Sequence, residues 1–110
     1  MAWLMREGKV LASAELVTDR LSRLRGFGGR DRMDGAVVLR PAWAAHTIGA
    51  PGPLDLVFCD AGMVVVEVVP EVRTSRLTLV RPRARTVIGV EAGFAARHSL
   101  VAGDQLELRG

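Results

Sequence analysis

The sequence predicts an α+β fold, a predominantly antiparallel, barrel-like β-sheet core with one or two short helices, and it does so on three observations. Apolar residues recur with a period of two over most of the chain. Gly, Pro and Asp punctuate these runs at short intervals, as they do between the strands of a sheet. Helical spacing is confined to two brief windows, near 18–26 and 91–100.

Trp3 to Glu7 reads as a first strand, Gly8-Lys9 as a tight turn and Val10 to Val17 as its hairpin partner. Thr18 offers a side-chain oxygen to the free amides of a helix start. Leu21 and Leu24 then share one face, and Gly26 is a natural stop. The segment from Gly26 to Gly35 is too rich in glycine and charge to be regular, and it leads into the strand Ala36 to Leu39 before Pro41. Trp43 to Ile48 is a candidate strand, whereas Gly49-Ala-Pro-Gly-Pro must be irregular because proline lacks an amide donor. Leu54 to Cys59 and Met63 to Val69 flank Asp60-Ala-Gly62 as a hairpin, and their continuous apolarity predicts burial on both faces. Pro70 to Arg85 reads as an edge strand or an exposed loop, with Leu77 and Leu79 alternating between polar neighbours. Thr86 to Val90 is a further strand, Glu91 to Leu100 a second short helix with Phe94 turned inward, and Gly103-Asp104 a turn before a last strand, Gln105 to Leu108.

No repeat or linker interrupts the 110 residues, so residues 1–110 are expected to form a single domain, a length able to bury roughly two-thirds of its unfolded surface. Cys59 is the one cysteine, which excludes an intrachain disulfide and any Cys-rich metal site. The longest apolar run, Gly62 to Val69, is broken by Glu67 and falls well short of the ~20 residues that span a bilayer. Arg6 and Glu7 interrupt the start before a signal-peptide core develops, so a soluble, cytoplasmic protein is expected. The net charge is +3, and Lys9 is the one lysine among 15 basic residues; arginine of this kind reads first as base composition and second as attraction for anions.

Three blocks resemble one family. Arg20 followed by Leu24-Arg-Gly-Phe-Gly-Gly-Arg30 is similar to its R-x-R-G-L-M-x-R helix end and loop. His46-Thr-Ile-Gly49 and Pro53-Leu-Asp-Leu-Val-Phe-Cys-Asp60 are similar to its H-T-x-x-M-x-x-P-I-D-V-x-F-L-D segment. Ala84 to Gly93, with Gly103-Asp104 ten residues on, is similar to its V-L-E-x-x-A-G … G-D tail. In this order, across nearly the whole chain, the blocks resemble domain of unknown function family 192, small bacterial and archaeal proteins. The resemblance implies a β-rich α+β domain without an assigned activity, many of whose members look exported or envelope-associated. The chain departs from the pattern at Ala50 (Met in the family), at Pro51-Gly52, and at Gly89 (Glu in the family), the positions where a shared site would be lost.

No reaction constellation stands out. His46 with Asp55 is a candidate general-base pair for a small hydrolase or isomerase, because a carboxylate can orient an imidazole for proton transfer. No Ser or Thr sits in a nucleophile elbow, and Cys59, flanked by Phe58 and Asp60 in a strand, reads as a buried apolar residue. His46, Asp55 and His98 have irregular spacing for a metal, so neither metal nor cofactor is expected. Gly26-Phe-Gly-Gly-Arg30 lacks the Lys-Ser/Thr of a P-loop, yet its backbone with Arg25, Arg30 and Arg32 suits a carboxylate or phosphate. The arginines from Arg73 to Arg85 lack interleaved aromatic residues, which makes nucleic acid a weaker partner than a small anion or a protein. The favoured reading is a noncatalytic accessory or small-ligand-binding domain, with Arg25, Arg30, His46, Thr47 and Asp55 forming a shallow site. Arg-mediated binding of nucleic acid or an acidic partner is the other alternative.

Overall fold

The computed structural model describes residues 2–77 and 80–110. Along the chain run β1 (Ala2–Arg6), β2 (Lys9–Val17), α1 (Arg20–Arg25), β3 (Ala36–Leu39), β4 (Leu54–Cys59), β5 (Val65–Val72), β6 (Thr86–Glu91), α2 (Phe94–Arg97) and β7 (Glu107–Arg109). The strands make one seven-stranded sheet in the order β5-β4-β6-β3-β2-β1-β7. Every pairing is antiparallel except β2 with β3, which α1 connects as a crossover. The two edges approach at one corner through the Val64–Gln105 bridge, with the Val65 amide donating to the Asp104 carbonyl at 2.8 Å. No ladder continues from that corner, so the sheet is curled and open, not closed into a barrel.

Alternation along the central strands sends side chains into two cores, as a pleated strand must. Val57 and Cys59 of β4, Ile88 and Val90 of β6 and Val38 of β3 pack with Phe94 and Ala95 of α2 and with Leu106. Leu54, Leu56 and Phe58 of β4, Val87 of β6 and Val37 and Leu39 of β3 face the other way, where irregular chain covers them through Phe27, Ala50 and Ala84. β3 and β4 are accordingly buried on both faces. β5 is not: it is the edge strand and only half-buried beyond Val65, because β4 is its one ladder partner. Gly89 lets the second core close, since a methyl there would lie 2.4 Å from the fully buried Phe27 ring.

Two expectations in the irregular and helical segments need correction. Trp43 to Ile48 is not a strand among the described residues, where His46 forms an isolated bridge with Leu77. The cap of α1 is Asp19, not Thr18, its carboxylate accepting from the Ser22 amide at 3.0 Å. Leu21 and Leu24 lie on α1 as expected, and the helix buries none of its residues. The predicted alternation at 77 and 79 lies partly outside the described residues, Leu79 among them. Phe94 does turn inward from the second helix.

Candidate functional site

Of the expected site residues, Asp55, Thr47 and His46 are spent on the fold, Arg30 is paired with a carboxylate, and Arg25 remains available. Asp55 is 1% exposed in β4 and has the strand parity of Val57 and Cys59. One carboxylate oxygen accepts from the Glu71 amide at 2.9 Å. The other accepts from the Gly93 and Ala95 amides at 3.1 and 2.9 Å. It therefore ties β4 to a kink in β5 and to the start of α2. Thr47 is fully buried; its hydroxyl donates to the Arg73 carbonyl at 2.6 Å and accepts from the Arg76 amide at 2.9 Å, pinning that turn.

His46 lies beneath the end of α1. The Leu24 carbonyl, 2.6 Å from Nε2, can only accept, so Nε2 carries the proton, and Nδ1 accepts from the Ile48 amide at 3.2 Å. Both ring nitrogens are thus occupied by backbone. Asp55 points to the face of the sheet that carries α2, whereas His46 sits with the Gly26 loop, whose Phe27 roofs the opposite face. The structure does not bring this imidazole and this carboxylate together.

Arg25 and Arg30 do meet. They line a hollow of about 340 Å³ between the end of β2 and the Gly26–Gly29 loop, with Glu15, Asp19 and Ser22 in its wall. Arg30 forms a two-pronged pair with Glu15 at 2.8 and 2.9 Å. That guanidinium holds the Glu15 carboxyl below the usual range. Arg25 is laid over Gly29 so closely that a methyl there would lie 2.5 Å from Nη2. Among the described residues the Arg25 guanidinium has no acceptor and is the unpaired cation of the hollow, whose Asp19 carboxylate is turned to the Ser22 amide as the cap of α1. Arg32, the third arginine of this loop, pairs instead with Asp34.

The arginine run is dispersed. Arg81 pairs with Glu67 at 2.7 and 2.9 Å, and Arg85 donates to the Pro82 and Ala84 carbonyls. Cys59 is fully buried, and burial, followed by the nearby Asp60 charge, pushes its thiol up to about 12, which makes it unreactive. Among the described residues no group of three or more His, Cys, Asp or Glu is placed to hold a metal, and no helix is long and apolar enough to cross a membrane.

The family model for domain of unknown function 192, described as "Uncharacterized ACR", matches residues 2–108. The chain belongs to this family. Among solved structures, a Novosphingobium aromaticivorans protein of unknown function is similar in fold at a TM-score of 0.76 and 18% identity, covering 87% of this chain and 74% of the other. A Sinorhizobium meliloti chain described as a "putative transcription regulator" is similar at a TM-score of 0.79 and 20% identity, covering 96% of this chain and 90% of the other. At these identities the likeness concerns the fold alone. A search of curated proteins finds no match.

The family's blocks thus fall into two kinds. The His46-Thr47 and Asp55 blocks hold loops and the second helix in place, while the Arg25-to-Arg30 block borders the hollow. Sequence reasoning misses Asp19 and Ser22 in that wall; a helix-start signal is present there, but Thr18 and Asp19 both carry it and only the structure separates them.

Proposed function

We propose that the chain is a noncatalytic accessory domain, acting as one unit over residues 1–110, that binds a small oxyanion-bearing ligand in the hollow beneath Arg25. One observation carries this reading: the Arg25 guanidinium is held against Gly29 with no acceptor of its own among the described residues, facing a polar hollow that also exposes the wall of Ser22. A phosphate or carboxylate would supply a planar, charge-assisted acceptor pair for it. Arg30, neutralised by Glu15, would shape the wall more than attract the ligand. The hydrolase alternative loses its support, because both nitrogens of His46 and both oxygens of Asp55 are engaged by backbone groups. The lone, buried thiol is compatible with the cytoplasm as its setting.

The test is a titration of the amide resonances with inorganic phosphate and, separately, citrate. Shifts centred on Ser22, Arg25 and Gly29, lost in Arg25→Gln, are expected. Saturating phosphate and citrate that leave these amides unmoved would remove the site.

A further inference from the structure

A second concavity lies on the other flank of α1, between that helix and the 41–46 segment. Its volume is about 480 Å³, within the ~300–1,000 Å³ range of small-molecule sites. Its walls are largely apolar, formed by Leu24, Leu39, Trp43 and Leu77 with alanines between them. Leu24, Trp43 and Leu77 remain 68%, 52% and 80% exposed, a large apolar surface to leave in water. Arg20 and Arg23 border it, three residues apart and hence neighbours on one side of α1, and no carboxylate lines it. Arg23 donates to the Pro41 carbonyl at 2.8 Å, but its Nε, shut off from solvent, finds no acceptor among the described residues. Arg20 has no acceptor among the described residues, so the groove joins an apolar floor to a cationic rim with a free guanidinium.

We propose that this groove binds a single-chain amphiphile with a carboxylate head, of the medium-chain alkanoate class. The hydrocarbon lies along Leu24, Leu39 and Trp43, and the head pairs with Arg20 and Arg23. This site is independent of the hollow beneath Arg25, from which α1 and Gly26 separate it.

Calorimetry and amide-shift titration of the full chain with octanoate, decanoate and dodecanoate below their micelle concentrations test the proposal, with decyltrimethylammonium as the cationic control. Each methylene entering the groove should tighten binding about fourfold. Shifts should centre on α1 and residues 41–46. The cationic control should bind at least about tenfold more weakly, as expected when an attractive charge pair becomes repulsive. Arg20→Gln should reduce affinity for every alkanoate by a similar factor, and Trp43→Ala should flatten the dependence on chain length; both positions are exposed, so the fold survives them. Arg25→Gln should leave decanoate affinity unchanged, which separates this site from the phosphate site. Equal binding of the cation, no dependence on chain length, dimerisation on ligand addition, or association with anionic vesicles alone would each overturn the assignment.

Discussion

Replacing Asp55 by alanine removes one carboxylate and strands three backbone amides, those of Glu71, Gly93 and Ala95, at 2.9, 3.1 and 2.9 Å from its oxygens. Hydrogen bonds to a charged acceptor contribute about 1.5–3 kcal/mol each. The Glu71 and Gly93 amides are only partly buried and regain water, so they fall at or below the low end, while the buried Ala95 amide loses its partner outright. The sum is a loss of about 3–5 kcal/mol, a large share of the ~5–15 kcal/mol that stabilises a domain. Asp55→Asn keeps one acceptor oxygen but turns an NH₂ toward a donor, so it should cost less, about 2–3 kcal/mol. Urea unfolding followed by tryptophan fluorescence reads both values from the midpoint at constant slope. Hydrogen exchange should show the Ala95 and Glu71 amides losing protection ahead of the β3 and β4 ladders. A cost under about 1 kcal/mol for Asp55→Ala, or one below that of Asp55→Asn, would refute the assignment of this carboxylate as a tie between three elements.

Two further changes probe the core. Gly89→Ala should destabilise by about 1–3 kcal/mol, because its methyl would meet the enclosed Phe27 ring, and the penalty should shrink in a Phe27→Leu background, a coupling that a double-mutant cycle measures. Cys59 should resist alkylation at pH 8 until urea is added. Its thiol is raised in the folded state to about 12, above the ~8.5 of an unfolded chain, so its contribution is complete below that lower value and drains away as pH rises toward the upper one. Unfolding midpoints of the wild type should therefore fall between about pH 9 and 11 more steeply than those of Cys59→Ala, and parallel slopes would exclude the effect.

The sheet is legible in the sequence because its signals are local. Strand periodicity, the Asp60-Ala-Gly62 turn and the apolar runs of β3, β4 and β6 lie within a few residues of one another, and the family pattern extends them over the whole chain. What fails is anything decided by long-range partners. Leu21 and Leu24 have helical spacing, but that spacing says nothing about whether a surface stands opposite, and here none does. Val66 to Val69 are as apolar as β4, yet sheet order puts them at the edge. His46, Thr47 and Asp55 resemble a reactive group because polar side chains in apolar surroundings signal either a site or a structural bond. The deciding partners are backbone groups of Leu24, Arg73, Arg76 and Ala95, none of which the sequence marks.

Two departures from the pattern that the chain resembles, at Ala50 and Gly89, meet in one core. Both positions lie beside the same buried ring. Phe27 and Ala50 belong to one buried cluster, and the Phe27 ring lies against the bare backbone of Gly89, in the space a longer side chain from that strand position would enter. A dense core leaves no room for a longer side chain at position 89 while the Phe27 ring lies there. These substitutions act on the roof of the sheet. The Arg25 hollow and the Arg20–Arg23 groove are bordered by α1 and the chain around it, and neither Ala50 nor Gly89 lines either of them.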